Sequence, residues 1–241
     1  MIFHTAAEQI YYDLFFSNWH KSIKKFWPGA KFSLRFVGPK NKAVDEYCSK
    51  HNILLTHDPI TFEEIDSTFQ KEELNKRPKA CYGYYALSRW MSMPIADDHV
   101  CLTDIDVVAL QRPDLRAINE IFSKYQQYRI PRAMPDKTKP KNMMVNMFRK
   151  DVVSEVNQVA ADLLFGSKLM WCLDLQVMAH CNKNFAILDE ALLVKFKGAV
   201  VAKNNLFGYC CGSEFVDNGI TYKNAEAKAA RYRRFFNLNK L

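Results

Sequence analysis

The sequence predicts an α/β fold built on a largely parallel sheet, and three observations carry that expectation. Helical and strand-like patterns alternate through the first half of the chain in a β-α-β-α-β order that suits a parallel sheet. The apolar run Cys101-Leu102-Thr103-Asp104-Ile105-Asp106-Val107-Val108-Ala109-Leu110 carries two aspartates one residue apart. The chain of 241 residues is 49% hydrophobic and 13% aromatic, enough to bury a sizeable core in one large domain.

Met1 to Thr5 is a short apolar start. In Gln9 to Phe26 the residues Ile10, Leu14, Phe15, Trp19, Ile23 and Phe26 recur at helical spacing, and Trp27-Pro28-Gly29 ends the helix. Phe32 to Val37 alternates as a strand, Asn41 to His51 reads as a helix and Ile53 to Thr56 as a further strand. Tyr82 to Met93 is predicted helical until Pro94 breaks it. Val100 to Val107 is then the next buried strand, with both aspartates at its carboxyl end, where open α/β sheets bind ligands. Pro131 to Lys141 holds three prolines and many charges and reads as a ligand-covering loop. A strand over Met143 to Phe148 and a helix over Val152 to Phe165 follow. Trp171 to Ala179 is apolar around Asp174 and Gln176. Ala186 to Leu193 and Gly198 to Val201 suggest short strands, and Ala225 to Phe236 a basic terminal helix. Neither an internal repeat nor a low-complexity tract is present.

In an extended strand, residues two apart face the same side, so Asp104 and Asp106 would present two carboxylates together. Two adjacent anions repel, and a divalent cation resolves the conflict. Hard ions such as Mn²⁺ or Mg²⁺ prefer oxygen ligands and are typically held by one or two carboxylates plus substrate phosphates. The alternative, that the aspartates cap a helix or open a turn, fits less well because Val107-Val108 continue the β-branched run.

Composition narrows the class further. No apolar segment approaches the roughly 20 residues of a membrane helix, and the N-terminus lacks the pattern of a secretory signal, so a cytoplasmic location is expected. The seven cysteines are an odd number set among apolar neighbours, which suits reduced thiols better than a disulfide framework. The net charge of +8 is uneven. Arg129, Arg132, Lys137, Lys139, Lys141, Arg149 and Lys150 face only Asp136 in one stretch. Lys223, Lys228, Arg231, Arg233, Arg234 and Lys240 surround Tyr232, Phe235 and Phe236 in another. Such segments suit a nucleotide diphosphate, nucleic-acid phosphate or an anionic lipid surface, or form a solvated helix face.

Together these segments resemble the nucleotide-sugar-dependent glycosyltransferases of the GT-A fold, particularly small members related to family 8 and to bacterial and phage relatives. The resemblance covers most of the chain and implies a single GT-A domain over 1–241, a Rossmann-like mixed sheet flanked by helices. Its nucleotide-binding half would be 1–110, and its acceptor-binding half 111–241 would include the basic C-terminal helix. Ile2-Phe3-His4-Thr5-Ala6-Ala7 with Tyr11-Tyr12 looks like the family's first strand and turn, which implies base and ribose contacts for Thr5, Ala6 and Tyr11. Arg89, in Tyr85-Ala86-Leu87-Ser88-Arg89-Trp90, is similar to the basic residue near the donor. Leu102-Thr103-Asp104-Ile105-Asp106 matches the metal motif, in which the first aspartate faces the sugar or ribose and the second holds the ion bridging both phosphates.

Asn142-Met143-Met144 resembles the family's Asn-Ala-Gly, with two methionines in place of small residues. Trp171-Cys172-Leu173-Asp174-Leu175-Gln176 resembles a sugar-contacting segment in which Asp and Gln are normally consecutive, whereas Leu175 separates them here. The family often takes a third metal ligand from a C-terminal histidine. Thr221 stands at that place in Gly219-Ile220-Thr221-Tyr222-Lys223-Asn224, and Asp217 is a substitute. Lys223 and Lys197 would reach the diphosphate.

The resemblance implies a metal-dependent transfer from a UDP-sugar or another nucleotide-diphosphate sugar to a hydroxyl acceptor, with Asp174 and Arg89 as catalytic residues. The acceptor classes are a hydroxylated base in DNA as in phage DNA glucosylation, a lipid-linked glycan reached through peripheral contact with an anionic membrane, or an ordinary sugar or protein hydroxyl, with glycans favoured slightly over DNA. Two rivals stand beside it. Nucleotidyl transfer also uses paired carboxylates and metal, but its Gly-Ser element would precede the aspartates, and Gly212-Ser213 follows them. A non-catalytic nucleic-acid-binding protein suits the basic segments and leaves Asp104 and Asp106 unexplained.

Overall fold

A computed structural model of the chain describes residues 1–71, 77–95, 97–130, 145–170, 173–181, 185–187, 193–195 and 207–209. The elements in order are β1 (Ile2–Glu8), α1 (Gln9–Tyr11), a π-helical segment (Tyr12–Phe16), α2 (Ser17–Phe26), β2 (Lys31–Val37), α3 (Lys42–Lys50), β3 (Ile53–Asp58), α4 (Phe62–Thr68) and α5 (Arg77–Met91). They continue with β4 (His99–Thr103), β5 (Val107–Ala109), α6 (Leu115–Lys124), β6 (Gln127–Ile130), β7 (Val145–Arg149), α7 (Lys150–Gly166), α8 (Leu173–His180), β8 (Phe185–Ile187), β9 (Leu193–Lys195) and β10 (Phe207–Tyr209). The chain divides into two compact units that interleave along the sequence.

The first unit, Met1–Gln9, Lys31–Leu102 and Phe148–Lys183, contains the strand order β3-β2-β1-β4, all parallel. Phe3, Leu34, Val100 and Cys101 are fully buried on these strands, as the apolar strand patterns predict. Local chemistry sets the helix ends. Asn41 caps α3 by accepting from the Ala43 amide at 2.8 Å, and Thr61 and Glu64 form a reciprocal capping box on α4. α5 packs on β1 and β2 and against α7 and α8. Gly83 permits that approach, because a Cβ there would lie 2.1 Å from the Met170 carbonyl oxygen. After α5, the Asn157 amide of α7 brackets Met93, accepting from its N–H at 3.1 Å and donating to its carbonyl at 2.9 Å.

The second unit, Ile10–Ala30, Thr103–Met147 and Asn184–Leu241, holds α2 packed on β5, with β10 antiparallel to β5 and parallel to β9. β6 and β8 also pair in parallel. Phe15, Phe16, Trp19, Ile23, Val107, Val108, Ile118 and Phe122 are buried here. Asp114 caps α6 through the amides of Arg116 and Ala117.

Several expectations need correction. The strand expected over Val100 to Val107 ends at Thr103, and β5 belongs to a different sheet. Asp104-Ile105-Asp106 is therefore a turn, closed by the Val107 amide donating to the Asp104 carbonyl at 3.2 Å. The continuing β-branched run, which argued against a turn, is the start of a second strand. The helix over Gln9 to Phe26 is interrupted by the π segment. The helices α4 and α6 and the strand β6 add to the expected elements, and Thr61 and Asp114 are the helix-start signals that precede the two helices. The expected loop over Pro131 to Lys141, the strand over Gly198 to Val201 and the helix over Ala225 to Phe236 lie outside the described residues. Among the described residues, Cys48, Cys81, Cys101 and Cys181 are buried and form no disulfide, and no helix is long and apolar enough to cross a membrane.

Candidate functional site

In the second unit the acidic turn follows directly from the end of β4. Asp106 and Ile105 are buried, at 4% and 5% exposure, while Asp104 is half-buried. The sequence thus places two carboxylates in one tight turn rather than along one strand face, and each remains a hard oxygen donor. This donor set fits a divalent cation of the Mg²⁺ or Mn²⁺ type, which needs one or two protein carboxylates when a substrate's phosphates complete its shell. No cluster of three or more His, Cys, Asp or Glu side chains suited to a metal occurs among the described residues.

Helix α2 grips this turn on both sides. The Trp19 indole N–H donates to the Thr103 hydroxyl at 2.7 Å. The Ser22 hydroxyl donates to the Trp19 carbonyl at 3.0 Å and accepts from the Ala109 amide at 3.2 Å. Sequence periodicity identifies Trp19 as core and gives no sign of its polar bond. Ser22 carries no sequence signal at all. Tyr11, expected at the nucleotide, is half-buried on α1 and stacks obliquely on Phe15, with ring centroids 5.3 Å apart.

In the first unit the structure brings together Arg89, in the last turn of α5, and Asp174, in the first turn of α8. The guanidinium meets Asp174 Oδ2 at 2.8 Å, both side chains being 13% exposed. Burial pushes the Asp174 carboxyl above its usual range, partly offset by the Arg89 charge and by hydrogen bonds from its own and the Leu175 amides. Gln176, two residues along α8 from Asp174, donates to the Met170 sulfur at 3.1 Å. Thr5 is fully buried, and its hydroxyl has no hydrogen-bond partner among the described residues. Ala6 is half-buried on β1.

His4, unmarked in the sequence, lies beneath the end of α5. Its Nδ1 is 3.0 Å from the Ser33 hydroxyl and its Nε2 3.4 Å from that of Ser92. Asn142, Lys197, Asp217, Thr221 and Lys223 lie outside the described residues.

No protein-family model and no curated protein matches the sequence. Solved structures do match in shape. An active-site glutamine-to-glutamate variant of LgtC superposes with a TM-score of 0.57 at 12% identity, covering 96% of both chains. The galactosyltransferase LgtC in complex with donor and acceptor sugar analogues gives 0.55 at 11% identity, again over 96% of each. The glycosyltransferase GlyE of Streptococcus pneumoniae TIGR4 gives 0.54 at 11% identity over 98% of this chain and 62% of that one. At such identities the likeness concerns the fold, and the fold is the GT-A fold expected from the sequence.

Proposed function

We propose that this GT-A-fold chain is a metal-dependent glycosyltransferase that moves a sugar from a nucleotide-diphosphate sugar, a UDP-sugar in the first instance, to a hydroxyl acceptor. One observation carries the reading: a fold shared with glycosyltransferases over nearly the whole chain coincides with a two-carboxylate turn at the end of β4, its Asp106 buried and its Asp104 half-buried.

Asp104 and Asp106 would hold Mn²⁺ or Mg²⁺, which when bound supplies Lewis-acid stabilisation of several kcal/mol to the leaving diphosphate. Arg89 carries a permanent charge and donates charge-assisted hydrogen bonds to anionic oxygens. Asp174, kept in place by that guanidinium, accepts from a sugar or acceptor hydroxyl and orients it. Thr5, Ala6, Tyr11 and Gln176, with Asn142 and Lys223, complete the proposed donor contacts. The acceptor is a glycan hydroxyl in this reading, with a hydroxylated DNA base as the competing acceptor.

The test is a screen of UDP- and GDP-sugars for Mn²⁺-dependent hydrolysis and thermal stabilisation, with and without chelator. One donor should respond, and Asp106→Ala should lower its turnover by on the order of a hundredfold or more while leaving the fold intact. Full activity of Asp106→Ala at ordinary Mn²⁺ concentration would refute the metal role. Silence toward every donor, beside salt-sensitive DNA binding, would refute the enzyme reading.

A further inference from the structure

The span from Thr103 to Ala109 is tied at both ends to a single turn of α2. Trp19 holds the residue before Asp104, and Ser22 holds the third residue after Asp106. These two helix residues are three apart and so share a face. All four tied residues are buried, Trp19, Thr103 and Ala109 completely and Ser22 at 1% exposure. Behind Trp19 stand Phe16, stacked at 5.5 Å and 20°, and Tyr12, stacked on Phe16 at 4.9 Å and 23°. Both belong to the π-helical segment, a local distortion frequently found at functional sites.

From this geometry we infer that Trp19 and Ser22 are positioning residues for the acidic turn: α2 sets the relative placement of Asp104 and Asp106, and thereby the affinity of the turn for a divalent cation. The inference rests on the metal reading of that turn and deepens it. Neither side chain acts as a ligand. Two carboxylates on a turn with loose ends would meet a common ion only after losing conformational freedom, whereas ends fixed by buried hydrogen bonds have already lost it. Residues that orient ligands in this indirect way typically change metal affinity by about 10- to 100-fold when removed. The indole N–H is a donor with no second role, so losing either partner leaves a buried group unsatisfied.

Mn²⁺ binding to the full chain, read by electron paramagnetic resonance with the metal alone and with UDP present, tests this directly. Trp19→Phe and Thr103→Val should each weaken binding about tenfold. The double variant should bind no more weakly than either single one, and Thr103→Ser should restore affinity. Ser22→Ala should act in the same direction. Thermal melts identify any variant that fails to fold, and the small Thr103 pair keeps the test open if Trp19→Phe is among them. Folded variants that bind Mn²⁺ as the parent does, or whose losses multiply in the double variant, would overturn the positioning role. A parent chain that binds no Mn²⁺ either alone or with UDP present would instead defeat the metal reading itself, and this inference with it.

Discussion

His4 has no exposed surface, and burial pushes its imidazole down to about 3 from 6.5, aided by the nearby Arg35 and Arg89 charges. The ring is therefore neutral at ordinary pH, one nitrogen donating and the other accepting. The unfolded chain takes up a proton near 6.5 and the folded chain does not until about 3. His4 thus costs no stability above 6.5, and from there down to about 3 it costs about 1.4 kcal/mol per pH unit at most. Urea midpoints should fall as pH drops through this window, and His4→Phe should flatten that part of the profile while lowering stability at pH 7. An unchanged slope would show that His4 is not buried neutral. The Arg89–Asp174 pair behaves differently. Removing the guanidinium by Arg89→Ala leaves a mostly buried carboxylate without its cation, at a cost of about 3 kcal/mol. Its titration, followed by carboxyl NMR, should move further upward.

At the scale of elements, α5 depends on close approach to the segment that leads into α8. The Gly83 Cα lies against the Met170 backbone, and an added Cβ would meet its carbonyl oxygen at 2.1 Å. Backbone cannot swing aside as a side-chain tip does, so Gly83→Ala should destabilise the chain by about 2 to 3 kcal/mol, read from the urea midpoint. Activity should fall with it, because the same displacement would separate Arg89 from Asp174. An unchanged midpoint would show that the two segments do not meet this closely. The acidic turn illustrates what local pattern conceals. Apolar continuity suggests one strand over Val100 to Val107, yet β4 and β5 pair in different sheets. Sequence shows that such residues are buried, whereas the partners available on either side decide where one strand stops.

For the whole molecule, the proposed donor binding has a consequence for stability. A nucleotide sugar with Mn²⁺ at about a hundred times its dissociation constant should stabilise the folded chain by about 2.7 kcal/mol, several degrees in Tm. Asp106→Ala should abolish the Mn²⁺-dependent part of that shift, and persistence of the full shift would place the ion elsewhere.

The sequence by itself determined the α/β alternation, the end of α2, the approximate limits of α3 and α7, and the identity of Asp104 and Asp106 as chemically notable, since periodicity and paired carboxylates are local features, whereas Arg89 and Asp174 stand out only through the family resemblance. Only the tertiary structure decided that the two aspartates occupy a turn, that Trp19 and Ser22 hold it, and that Arg89 meets Asp174 across 85 positions of sequence. His4, Trp19 and Ser22 look like ordinary residues of a strand and a helix. Their roles come from hydrogen bonds to partners far along the chain, and no local pattern encodes a contact whose two halves are brought together only when the chain folds.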